Sequence, residues 1–130
     1  MQERGQYYTP SDVAALTAQM SCPPDVSTVH DPTMGTGGLF RATAEVLRAC
    51  GRDPRTVCWV GCDVDPLAVA CATVNSIVWE LGVNILFYTG NALTDEAETI
   101  ARKQRDELLH IAATVQRCKE LLALLDIRPP

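Results

Sequence analysis

Three short β-prone runs, Ser27–His30, Thr56–Gly61 and Asn84–Thr89, alternate with stretches of helical character. That alternation restricts the fold more than any other feature. A helix between successive strands carries the chain back across a sheet, so the strands are expected to run parallel with right-handed crossovers. Thr56–Gly61 is apolar on both faces, as an inner strand of such a sheet must be. The local signals mark the helices. Thr9 is placed to cap a first helix from about Pro10 to Met20, with Pro10 at its first position and Asp12 at its third. Val13, Leu16, Thr17 and Met20 then form one stripe expected to be buried, and Cys22-Pro23-Pro24 ends the helix. A second helix spans about Gly38 to Ala49, with Leu39, Thr43, Val46 and Leu47 inward and Gly51 as its C-terminal cap. Asp65 caps a third, with Pro66 at its first position; it runs to about Leu81 and stops at Gly82.

The character changes after Thr94. From about Asp95 to Asp126 there is neither a strand signal nor a helix breaker. Leu108, Ile111, Val115, Cys118, Leu122 and Leu125 recur at alternating spacings of three and four, a heptad seam that Leu121 and Leu124 widen toward its end. One helix of about 30 residues, about 45 Å long, is expected there. The division is therefore an α/β unit over 1–94 and a long amphipathic helix over 95–130.

Composition narrows the function classes. The 130 residues suit one domain with a modest core, and 47% hydrophobic with 21% charged residues indicates a globular chain. No apolar run reaches membrane-spanning length, and the Met1–Gly5 start lacks a signal-peptide layout, so a cytoplasmic protein with no membrane partner is expected. The net charge is −5 and the pI about 4.9, whereas nucleic-acid binders usually present a basic face. The one basic cluster, Arg102, Lys103 and Arg105, is flanked by acids. Any action on DNA is expected to go through a partner that holds it. The six cysteines, at 22, 50, 58, 62, 71 and 118, form no Cys-x-x-Cys pair, so neither His30 nor His110 stands near paired cysteines. They are expected to be small buried hydrophobes rather than zinc ligands or disulfides.

The loops after the strands carry the chemistry. Asp31-Pro32-Thr33-Met34-Gly35-Thr36-Gly37-Gly38 joins the first strand to a helix. Glycines there let backbone pass close to a ligand. The sequence lacks the third glycine of the dinucleotide fingerprint, where Phe40 stands, and has no Gly-Lys-Ser/Thr of a phosphate-binding loop. Asp31 repels phosphate but suits an ammonium group, pointing to a ligand with a free amine such as S-adenosylmethionine. Ligands of parallel sheets bind at the carboxyl ends of the strands. The second strand leads into Gly61-Cys62-Asp63, and an acid there suits the two hydroxyls of a ribose; the third leads into Gly90-Asn91, whose amide can both donate to and accept from an adenine. As alternatives, Asp31 and Asp63 can be ordinary capping or loop acids, and Asn91 a turn residue.

Four segments, Gly5-Gln6-Tyr7-Tyr8-Thr9-Pro10, Asp31 to Gly38, Gly61-Cys62-Asp63-Val64-Asp65 and Gly90-Asn91-Ala92-Leu93, resemble the cofactor-binding half of N6-adenine DNA methyltransferases, most closely type I restriction-modification methylase subunits. The resemblance covers about residues 5 to 93. It implies a partial Rossmann-like, S-adenosylmethionine-dependent methyltransferase fold, in keeping with about three parallel strands with flanking helices; the long C-terminal helix read from the heptad spacing lies beyond the resemblance. It implies cofactor contacts from Tyr8 and Thr9, with Thr9 at the methionine carboxylate. Asp31, Gly35, Thr36 and Gly37 would surround the methionine amine and backbone, Asp63 would hold the ribose, and Asn91 would face the adenine amino group. The family's catalytic Asn/Asp-Pro-Pro-Tyr/Phe element is missing: the only Pro-Pro pairs, at 23–24 and 129–130, follow Cys22 and Arg128. No catalytic residue is therefore assigned. The expectation is a cofactor-binding module that is inactive alone or half of a split enzyme; the alternative is a non-catalytic interaction protein. The family also implies that a further strand would lie beside the first one, leaving that sheet edge open here. The heptad helix is expected to pack within the chain, with a second methyltransferase subunit or another copy as alternative partners for its 108–125 seam.

Overall fold

The structure is a computed structural model that describes residues 7–125, apart from the side chain of Asp95. In chain order the elements are α1 (Ser11–Ser21), β1 (Thr28–Asp31), α2 (Gly38–Ala49), a 3-10 turn (Pro54–Thr56), β2 (Cys58–Asp63), α3 (Pro66–Val78), β3 (Ile85–Thr89) and α4 (Asp95–Leu124). The three strands form one parallel sheet in the order β1-β2-β3. This is the partial α/β fold expected, with β1 on an open edge.

The alternation of side chains along each strand sorts them into two layers. Val29, Trp59 and Ile85 share a register row and face α2 and α3. Their core is built on Trp59, Phe40, Leu47, Leu81 and Val57, all fully buried. Phe40 meets Trp59 edge-on and stacks on Phe87. The Trp59 indole N–H donates to the Pro54 carbonyl at 3.0 Å, so its polar atom is satisfied. The opposite face carries Val60, Cys62, Leu86 and Tyr88, covered by Ala97 and Ala101 of α4. Gly61 is a strand glycine because nothing larger fits: a Cβ there would lie 2.2 Å from Met34 Sδ and 2.9 Å from Phe40 Cε2. Gly61→Val is expected to cost about 1–3 kcal/mol through overpacking, measurable as a lowered urea midpoint.

Several expectations need correction. Thr9 does not cap α1: Pro10 occupies the cap position, and no side-chain cap bond forms. The stripe read as buried is open, with Leu16 59% and Met20 79% exposed. α1 instead packs through Ala14 and Ala18 against Ala42 of α2, a contact of small side chains that lets the two helices approach closely. β2 lies two residues later than expected because Asp53 caps Pro54–Thr56 into a helical turn, accepting from Arg55 N at 2.9 Å. The strand then runs on to Asp63. α3 begins as expected, with Asp65 accepting from Leu67 N at 3.0 Å and Pro66 first in the helix, but ends at Val78 rather than near Leu81. Among the cysteines only Cys62 is buried; Cys50, Cys71 and Cys118 are exposed. α4 contacts the sheet only through its first turns, and its seam from Leu108 onward lies in the open. It does not close the β1 edge. No helix among the described residues is long and apolar enough to cross a membrane.

Candidate cofactor site

The parallel sheet brings three strand ends to one rim, and hydrogen bonds tie the loops that leave them. Asp63, the last residue of β2, is the hub. Its Oδ2 accepts from Gly35 N at 2.9 Å, its Oδ1 from Asp65 N at 2.9 Å, and its backbone carbonyl from Gly90 N at 3.0 Å. One residue thus fixes the glycine loop, the start of α3 and the loop after β3. Met34 N donates to the Cys62 carbonyl at 2.9 Å, and Asn75 of α3 holds the Thr36 carbonyl at 3.0 Å. Gly35 and Gly37 have φ of 54° and 91°, the left-handed region that glycine enters at least cost.

A hollow of about 100 Å³ opens beside this loop, and Tyr8, Thr9, Asp31, Gly35 and Thr36 all line it. It admits one end of a ligand rather than the whole of one, since drug-sized sites run to about 300–1,000 Å³. A larger cavity, about 370 Å³, runs along the open β1 edge between α1 and α2, and Asp31 and Leu39 line both.

Asp31 is the distinctive group at the site. It is 8% exposed, and its carboxylate accepts from Thr33 N at 3.0 Å. Burial pushes its pKa above the usual carboxylate value; the Thr33 N–H and His30 pull it back, and the Asp63 charge pushes it further up. A cation placed against it would replace the solvation it has lost. The sign for stability follows from that direction. The folded protein holds this proton more tightly than the unfolded chain, so the group's stabilisation is present below the ordinary carboxylate pKa and is lost as pH rises through the raised one. Asp31→Asn keeps an acceptor for Thr33 N and removes the buried charge. Its melting temperature at pH 7 is expected to equal or exceed that of the parent by differential scanning calorimetry, while affinity for a cationic ligand falls.

The remaining candidates are placed unequally. Tyr8, Thr9, Asp31, Gly35 and Thr36 meet at the hollow, and Asp63 grips the same loop from the β2 side. Gly37 serves packing: a Cβ there would sit 3.1 Å from the Trp79 ring, and its N–H already donates to Met34 at 2.8 Å. Asn91 does not converge with the others. It is exposed, and its Oδ1 accepts from Leu93 N at 3.0 Å in a turn of its own loop. Three supporting residues went unrecognised in the sequence: Thr33, Met34 and Asn75. Gly61 was the available signal for Met34, because a glycine inside a strand marks a close approach of another group.

Comparison with known proteins adds to this picture. The N-6 DNA Methylase family matches residues 1–113. The methylase subunit of the type I restriction enzyme HindI from Haemophilus influenzae is 28% identical over 90 residues, covering 69% of this chain and 20% of the relative. The solved structure of the type I restriction-modification methyltransferase subunit from Streptococcus thermophilus superposes with a TM-score of 0.60 at 26% identity, over 68% of this chain and 19% of that one. The chain thus spans about a fifth of the length of either. A parallel β1-β2-β3 sheet, a glycine loop gripped by the acid at the end of the second strand, and a family match over most of the sequence agree: this chain belongs to the N-6 DNA methylase family.

Proposed function

We propose that the rim of the sheet is an S-adenosylmethionine site and that the hollow takes the methionine end of the cofactor. The carrying observation is the convergence of Tyr8, Thr9, Asp31, Gly35 and Thr36 on one small cavity with a buried carboxylate in its wall. Asp31 would pair with the ammonium group, and the glycine loop would pass along the amino-acid backbone. Asp63 retains acceptor capacity for ribose hydroxyls beyond its two backbone bonds, since a carboxylate has about four lone-pair sites. Asn91 would reach an adenine only by giving up its bond to Leu93 N. Family membership supports the choice of cofactor.

The cofactor supplies an activated methyl group; these residues bind and orient it. Transfer to an adenine would need the Asn/Asp-Pro-Pro-Tyr/Phe element that these 130 residues do not contain. The module would therefore work as one part of a DNA methyltransferase, with catalysis and DNA contact supplied by other protein segments. Its relatives are described as subunits of type I systems. The net charge of −5 agrees with DNA being held elsewhere.

Isothermal titration with S-adenosylhomocysteine tests the reading. Saturable heat with one site per chain is expected. Affinity should fall as pH drops through the raised pKa of Asp31, because protonation removes the partner of the amine. Absence of heat, together with no thermal shift at millimolar ligand, would refute it.

A further inference from the structure

We propose that Ala97, in the first turn of α4, is a positioning residue for the adenosine half of the cofactor site. It seats Gly90 against the end of β2, so the docking of α4 sets the third loop of the rim. The inference deepens the S-adenosylmethionine reading and rests on it.

Gly90 directly follows β3 and is held from two sides. On one side β2 takes both of its backbone groups: the Asp63 carbonyl accepts from Gly90 N at 3.0 Å, and the Cys62 thiol donates to the Gly90 carbonyl at 3.3 Å. On the other side stands Ala97. A Cβ on Gly90 would lie 2.6 Å from the Ala97 Cβ. Its next neighbours, Tyr88 Cδ2 and Cε2, would be 3.7 and 3.8 Å away, which is ordinary van der Waals contact. Backbone conformation does not demand a glycine here. Among the described residues, the glycines of positive φ are Gly35, Gly37, Gly51 and Gly82, and Gly90 is not one of them. The methyl group of Ala97 is what excludes a side chain at position 90, so the glycine records how closely α4 approaches.

α4 cannot yield freely at this contact. Ala97 and Ala101 pack on the face formed by Val60, Cys62, Leu86 and Tyr88. Glu98, between them, accepts from the Tyr88 hydroxyl at 3.5 Å. The connection into the helix is short and closed on itself. Asn91 Oδ1 accepts from Leu93 N at 3.0 Å, and the Asn91 carbonyl accepts from Thr94 N at 3.0 Å and from Thr94 Oγ1 at 2.9 Å. A shift between α4 and the sheet is therefore passed to Gly90, and from Gly90 to Asp63, the residue proposed to hold the ribose. The hollow proposed for the methionine end has no residue of α4 or of the loop after β3 among those lining it, so the effect belongs to the adenosine half. Coupling of this kind is reciprocal: a ligand that fixes Asp63 also holds the first turns of α4 against the sheet.

Moving one methyl group across the contact tests the role. The full chain is titrated calorimetrically with S-adenosylhomocysteine and with 5′-methylthioadenosine, which has the adenosine half but no amino acid. Gly90→Ala is expected to bind both about tenfold more weakly than the parent. Ala97→Gly removes the opposing methyl, so Gly90→Ala/Ala97→Gly should return to within about twofold of Ala97→Gly alone. Titration below the melting transition of every variant separates lost affinity from lost folding. Saturating S-adenosylhomocysteine should also slow amide hydrogen exchange in the parent at Thr99 to Arg102, the first amides bonded within α4. This measurement needs no variant and holds even where Gly90→Ala does not fold. Parent-like affinity in folded Gly90→Ala, a loss that Ala97→Gly does not restore, or unchanged exchange in α4 at saturation would overturn the positioning role and leave the cofactor site in place. Absence of heat with the parent chain would instead refute the cofactor reading, and this inference with it.

Discussion

Asp63→Ala is expected to lower affinity for S-adenosylhomocysteine at least about tenfold, equal to about 1.4 kcal/mol, and to destabilise the fold by about 2 kcal/mol. Both effects come from one side chain. The carboxylate would accept from the ribose, and it already accepts from Gly35 N and Asp65 N. Charge-assisted bonds of this kind contribute about 1.5–3 kcal/mol each, but Asp63 is half-buried and water would replace part of the loss. The glycine loop would then keep its tie through Met34 N and the Cys62 carbonyl while losing the grip on Gly35. Asp63→Asn should fall between the parent and the alanine variant, since its amide offers one acceptor and turns a donor toward a backbone N–H. Calorimetric titration paired with urea denaturation separates the two effects. Parent-like affinity in Asp63→Ala would remove Asp63 from the binding site while leaving its role in the fold.

The larger effect on stability alone is expected from Trp59→Ala. Trp59 is fully buried in β2, packs edge-on against Phe40 and satisfies its indole N–H on Pro54. Replacing a buried Trp by Ala costs about 3–5 kcal/mol, a large share of the 5–15 kcal/mol that holds a typical domain. The melting temperature should fall by on the order of 15 °C. The cavity left behind would lie beneath α2 and α3 and, through Phe40, beside the Gly61–Met34 contact that seats the glycine loop. Ligand affinity at a temperature where the variant is still folded should drop less than in Asp63→Ala, because no polar group of the rim is removed.

The sequence was most legible where backbone chemistry leaves few choices. A run such as Asp31 to Gly38 between a strand and a helix needs the conformations that Gly35 and Gly37 adopt, and Asp65-Pro66 starts α3 by capping and by fixed φ. The parallel direction of the three strands followed from alternation. Legibility failed where a competing partner decided the outcome. The stripe Val13, Leu16, Met20 has the spacing of a buried face, but periodicity records only that a face is apolar, not what covers it; Ala14 and Ala18 took the contact with α2 because small side chains permit closer approach. The start of β2 was misplaced because the Asp53 cap draws Pro54–Thr56 into a helical turn. Asn91 drew a functional reading from its position after Gly90, yet the local bond to Leu93 N claims its oxygen, a competition common to Asn in turns. The heptad of α4 was readable, but its division into a docked alanine segment and a free leucine segment depends on where the sheet ends.

The most direct test of the cofactor assignment is two-dimensional amide NMR on the isotope-labelled protein during titration with S-adenosylhomocysteine. Saturable shifts are predicted at Thr33, Gly35, Thr36 and Asp63, with smaller changes at Asn91 and none at Gly51 beyond α2. No shifts at saturating ligand, or shifts confined to Val26–His30 along the open β1 edge, would contradict it.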